Sequence, residues 1–277
     1  MRRLGDLNMG FNYLRFWVAG LRISFKQAVE FKSNFYSAIF LNVIFFFVIV
    51  FSASIFSSIF GDSIGWKFVD FVLFIFVLNL MFDFSGIFWY GSSARLEEQI
   101  KSGKLNSYFC KPGNRFLVFL LKPRSSPVIF ILLDILFYIP YLIYLGDFIF
   151  FNILLGFLVL VCLSVCNVLL VYFLMSFSWI FIKLGSFLVD DFYWDNIQEG
   201  LRSYPFQLFE NRKFLYLIFS VLPMFYVSTV VIPIISFGDF SVLSSINYYV
   251  LFWAIFVMGL GTFFNWRYGL RKYEAFG

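Results

Sequence analysis

The 277-residue chain contains no histidine. Its absence excludes Ser-His hydrolysis, imidazole acid–base catalysis and zinc sites built on His, and most intramembrane hydrolases with them. No Gly-rich loop followed by Lys-Ser or Lys-Thr occurs either, so the usual backbone cradle for nucleotide phosphates is missing. The three cysteines, Cys110, Cys162 and Cys166, have neither zinc-ligand spacing nor an even disulfide framework. Charge is scarce: 13% of residues are Asp, Glu, Lys or Arg, against roughly 25% in a soluble domain. The chain is therefore expected to hold no separate soluble domain, no cofactor or metal of its own, and no nucleic acid.

What is there is apolar: 61% of residues are hydrophobic and 25% aromatic, with 45 Phe. Runs long enough to cross a hydrocarbon core of ~30 Å recur along the whole length. The Phe excess reads as Phe standing where another membrane protein has Leu. The start, "MRRLGDLNMGFNYLRFWVAG", lacks a compact apolar run followed by a small-residue cleavage site, so it is expected to persist. The expected fold is an all-α polytopic membrane protein, one transmembrane domain over residues 1–277.

Hydropathy places six spans at about 35–60, 67–93, 127–146, 148–175, 213–235 and 246–266. With these spans, all but Lys67 of the 21 Lys and Arg fall on one face. Basic short loops stay inside, so a multi-pass protein of the cell membrane with both termini cytoplasmic is expected. Residues 176–203 are apolar enough in their first half to be a seventh span, but that would put Arg267, Arg271 and Lys272 outside. The stretch is read instead as an extension of the fourth span onto the membrane surface, with 176–190 either interfacial or embedded.

Residues 10–33 repeat apolar side chains at three- and four-residue steps, Trp17, Val18, Leu21, Phe25 and Val29 among them, with Arg15, Arg22, Lys26 and Glu30 opposite. This pattern predicts an interfacial amphipathic helix facing membrane lipids. Within the spans, Asp83 and Asp134 are the deepest acids. Each either lines a polar path or pairs with Asn, Tyr or Ser on a neighbouring helix. Asn79, Ser85, Ser164 and Asn167 read as packing groups.

One polar island interrupts this pattern, "EEQIKSGKLNSYFCKPGNR", within a loop spanning 94–126. Ala94 to Ser102 can form a short helix with Leu96 and Ile100 on one side, a Glu97–Lys101 pair four residues apart, and Gly103 to stop it. Lys111-Pro112-Gly113-Asn114 has the Pro and Gly of a type II turn. Such a helix is either a docking element for a soluble partner or a solvated loop obeying the charge rule.

The segments "IKSGKLNSYFCKP", "SYPFQLF", "VLPMFYVSTVVIP" and "WRYGLRKYEAFG", in this order, resemble the permease subunits of type-2 ABC transporters, in their export-type branch. The resemblance implies a non-catalytic subunit whose spans form a pathway with a second permease, a copy or a sibling. It also implies a coupling helix that sits on a separate ATP-binding cassette ATPase, where ATP and Mg would bind. Arg95, Leu96, Glu97, Glu98, Ile100, Lys101 and Gly103 would carry that coupling, and Asp83 and Asp134 would be path residues. The family also tends to fold the end of the fifth span back into the membrane, which Pro223 and Pro233 suit. A transporter or channel driven by an ion gradient is the alternative reading.

Overall fold

The computed structural model describes residues 15, 17–23, 25, 26, 29, 30, 32–89, 92–103, 105, 126–146, 149–190, 193, 204–244 and 247–276. Every regular element among them is helical. Among the described residues, five helices are long and apolar enough to cross a membrane.

Helix α1 (Lys32–Ile64) ends at Gly65, whose φ of 75° turns the chain at little steric cost. The N–H groups of Gly65 and Trp66 both donate to the Gly61 carbonyl, at 2.8 and 3.1 Å, which satisfies an end carbonyl of the helix. Helix α2 (Phe68–Trp89) then opens with the Asp70 carboxylate accepting the Lys67 N–H at 2.8 Å. A carboxylate there also complements the positive helix end, so Asp70 needs no functional explanation.

Helix α2 is the centre of the bundle. Helix α4 (Ser126–Leu145) packs antiparallel on it: Gly86 lies against the Pro127 ring, and Phe76 stacks on Tyr138 at 4.8 Å. Helix α5 (Phe150–Ser176) covers another face. There the Asn167 amide donates to the Ser85 hydroxyl at 2.8 Å, and the Tyr172 hydroxyl donates to the Phe88 carbonyl at 3.0 Å. In helix α8 (Asn247–Phe276), Gly261 lets the Phe173 ring of α5 lie against the backbone.

The bundle thus has two ends. Helix α3 (Ser92–Ser102), the C-terminus of α5 and the C-terminal part of α8 lie at one, where Leu96, Met175 and Trp266 share a core. The α1–α2 turn and the start of α5 lie at the other. Trp17 stacks on Phe88 at 5.7 Å, which puts the N-terminal helix at the α3 end. Its Val18, Phe25 and Val29 are exposed, as are Arg22, Lys26 and Glu30; residues 10–14 of the expected helix lie outside the described residues.

Two expectations are corrected. Residues 213–235 are not one span. Helix α6 (Lys213–Phe219) is short, the chain turns over Ser220–Met224 with Pro223 in the turn, and an apolar helix α7 (Val227–Phe237) follows. Tyr216 meets Phe225 at 4.7 Å across this hairpin. Leu222, at its tip, packs on the core of the α3 end, while Gly238 returns to Asn152 near the start of α5. The hairpin therefore enters and leaves on the side away from α3. Pro233 has no N–H to donate and its ring crowds the preceding turn; α7 accordingly widens into π-helix around it.

Residues 176–190 also depart from the expected surface extension. Helix α5 ends at Ser176 and does not run on along the surface: after a 3₁₀ turn, Phe177–Trp179, the chain folds back so that Gly185 lies within contact of Met175 and Ser178. Ser186 is at the α3 end, bonded to Glu97. Tyr204 is in the opposite half, against Phe56 and Phe60 near the end of α1. Ser186 and Tyr204 therefore lie in opposite halves of the bundle, and Val189 and Tyr193 are buried. Lys213, at the start of α6, lies in the half away from α3.

Candidate functional site

Helix α3 is a polar helix of eleven residues, too short to be stable alone, so its form depends on what it packs against. Leu96 is fully buried and Gln99 nearly so, with Ile100 partly covered. Leu96 and Leu105, with Ile100 at the edge, join Leu170, Val171, Met175, Trp179, Val189 and Trp266 in a single core. Helical steps of three and four align these positions along the inward stripe. Glu98, Lys101 and Ser102 are exposed on the rest.

Glu97 lies between the two faces. It forms an ion pair with Lys101 one turn on and accepts the Ser186 hydroxyl from the fold-back turn. The Lys101 ammonium, followed by the Ser186 hydroxyl, holds its carboxyl below the usual carboxylate range. Ionised Glu97 is thus a fixed polar link between α3 and residues 184–186. Gly103 ends the helix with φ 68°, beside the Tyr273 hydroxyl of α8.

The expected coupling residues therefore separate. Leu96 and Ile100 anchor the helix, Glu97 ties it sideways, and Glu98 and Lys101 face outward; the Arg95 side chain lies outside the description. The type II turn at Lys111–Asn114 also falls outside the described residues. Trp179 and Ser186 complete the site with Trp266, and of the three only Trp266, in the closing segment, was marked in the sequence. Their signal was available in the closing Trp-Arg-Tyr-Gly segment: Gly269 has no room for a Cβ because the Trp179 indole lies on its Cα, and Trp179 meets Trp266 edge-on at 5.3 Å.

Asp83 and Asp134 sit apart from this site. The two α2–α4 contacts set an antiparallel register that faces Asp134 towards Asn79 and Leu80, with Asp83 one turn nearer α3. Asp134 is buried in this seam and Asp83 partly so. Asn79 is buried beside them with its Oδ1 unbonded among the described residues. Both acids thus lie between helices of one subunit, away from its open apolar faces. Asn167 and Ser85 act as the packing groups expected of them, and the Tyr193 hydroxyl donates to the Asn167 carbonyl oxygen.

Searches of curated proteins and of solved structures returned no match. The sequence model of one family, described as ABC-2 family transporter protein, matches residues 35–277, which include the five long apolar helices, the hairpin and α3. An all-helical multi-pass membrane chain with that match over most of its length is a member of the ABC-2 transporter family, a membrane transport component of the kind that works with an ATPase subunit.

Proposed function

We propose that this chain is the non-catalytic permease subunit of an ATP-driven exporter in the cell membrane, paired with a second permease and driven by a separate ATPase. The observation that carries the reading is α3. It is a polar helix at one end of an apolar bundle, anchored through Leu96 to the ends of α5 and α8 while presenting Glu98 and Lys101 outward. In this reading the α3 end is cytoplasmic, and both chain termini share that side. ATP and Mg bind in the partner, whose closure pushes on α3. The second permease, a copy or a sibling, covers an apolar face that this subunit leaves open, and membrane lipids cover the rest.

The test is co-purification of the chain with an ATPase subunit and nucleotide-dependent transport in vesicles. Glu98→Lys with Lys101→Glu is expected to weaken ATPase capture at least tenfold while membrane insertion stays normal. Proline at Ile100 is expected to abolish coupling by breaking α3. Transport that persists without nucleotide or ATPase, and fails in Asp83→Asn or Asp134→Asn, would establish the ion-gradient alternative instead.

A further inference from the structure

The turn that follows α5 is tighter than a loop joining two spans requires. Ser178 and Trp179 are buried. A Cβ on Gly185 would collide with the Ser178 side chain and stand 2.7 Å from the Met175 carbonyl oxygen. A Cβ on Gly269 would enter the Trp179 ring. The Asn265 amide of α8 donates to Ser176 Oγ at 3.0 Å, and Tyr273 meets Trp179 edge-on at 6.4 Å. From the other side, α3 contributes the Glu97–Ser186 bond and the buried Leu96.

We infer that α3, the turn Phe177–Ser186 and the α8 segment Trp266–Tyr273 form one rigid block. A displacement of α3 then reaches α5 and α8 through the turn, with Glu97, Ser186, Trp179 and Gly269 as positioning residues. The inference rests on the docking of an ATPase on α3 and adds the route by which movement leaves that helix. The physical ground is slack. Close-packed interfaces transmit displacement rather than absorb it, and the close approaches of Gly269 to the Trp179 ring and of Gly185 to Met175 and Ser178 leave no layer of flexible side chains to slide. Glu97 adds a charge-assisted bond of the stronger kind, so the polar and apolar sides of α3 are both held.

The experiment uses the full chain purified with its ATPase, with Cys110, Cys162 and Cys166 replaced by Ala. A fluorophore on Tyr268→Cys, an exposed position on α8, reports nucleotide-dependent movement. Gly269→Ala, and Glu97→Gln combined with Ser186→Ala, are each expected to reduce the nucleotide-induced shift at least fivefold while the ATPase still co-purifies. A full shift in both variants overturns the block. In a second arm, Glu97→Cys and Ser186→Cys are bridged by a short, reducible thiol cross-linker. ATPase activity is expected to stay within twofold; a tenfold loss that reductant restores shows that α3 must slide on the turn and overturns the block as well. If no ATPase co-purifies with the unsubstituted chain, the docking reading fails and the block loses its driver. A retained ATPase with an unchanged reporter refutes the block alone.

Discussion

Helices α1 and α2 are both strongly apolar spans, yet they have opposite fates. Of the most apolar window of each, 6% of α1 is buried inside the subunit and 78% of α2. Apolarity decides that a segment crosses the membrane, because lipid tails welcome Phe and Ile as readily as a protein core does. It does not decide which segment is central. Within α2 polar residues are sheltered: Asp70, Asn79 and Ser85 are buried, and each would be costly facing hydrocarbon. The exposed positions of α1 include Phe40, Phe45, Phe47 and Phe51.

The largest effect that could break this contrast is Phe74→Ala against Phe47→Ala. Phe74 is fully buried and Phe47 is 66% exposed. Removing a buried ring costs about 3–5 kcal/mol, whereas a lipid-facing ring gives up contacts that lipid re-forms. Thermal unfolding in detergent should show a large drop in Tm for the first variant and little for the second. A large drop for both would mean that a second subunit covers α1, which would sharpen the contrast by relocating the permease interface to that face.

Glycines extend the comparison within the α3 half. At Gly185 a Cβ meets the Met175 carbonyl, whereas at Gly259 nothing lies within 4 Å. Gly185→Ala should destabilise by about 1–3 kcal/mol through overpacking. Gly259→Ala, in open helix, should stabilise by up to about 1 kcal/mol through lost chain entropy. Opposite signs in the same melting assay would confirm that the fold-back turn, rather than glycine content, sets the local tolerance. A smaller effect is expected at Asn167, which bonds both Ser85 and Tyr193. Asn167→Leu should cost about 0.6–1.7 kcal/mol, the range for hydrogen bonds between membrane helices, seen as a matching loss in unfolding free energy.

How much of this was legible in the sequence follows the same division. The long apolar helices and the Gly103 stop of α3 depend on local composition and were legible. The hairpin was legible only in part, through Pro223 and Pro233 and the resemblance. Residues 213–235 read as one apolar span, and only tertiary contacts such as Tyr216 with Phe225 and Leu222 with the α3-end core show that the chain turns back there. The charge rule misled there, since it counted Arg212 and Lys213 with the loops of the α3 end. In the site, α3 was legible as a helix with an apolar side. Its attachment to Trp179 and Ser186 was not, because those partners lie more than 80 residues on in the chain.

The smallest expected effect tests the polar side of that attachment. Lys101 and Ser186 hold the Glu97 carboxyl below its ordinary range. A group whose pKa is depressed on folding contributes stability that is present above its unfolded pKa and is lost as pH falls through the folded value. Glu97→Gln should therefore melt slightly below the parent by a constant margin from pH 6 to 8, because the parent carboxylate is ionised throughout that window. The margin should close only in acid, below the ordinary carboxylate range. Glu98, exposed on the same helix, makes the control. If Glu98→Gln gave the same margin with the same acid dependence, the effect would be general helix electrostatics rather than the link to Ser186. Exposed pairs contribute at most about 1 kcal/mol, so the Glu97→Gln difference should be read as a small Tm offset that disappears in acid.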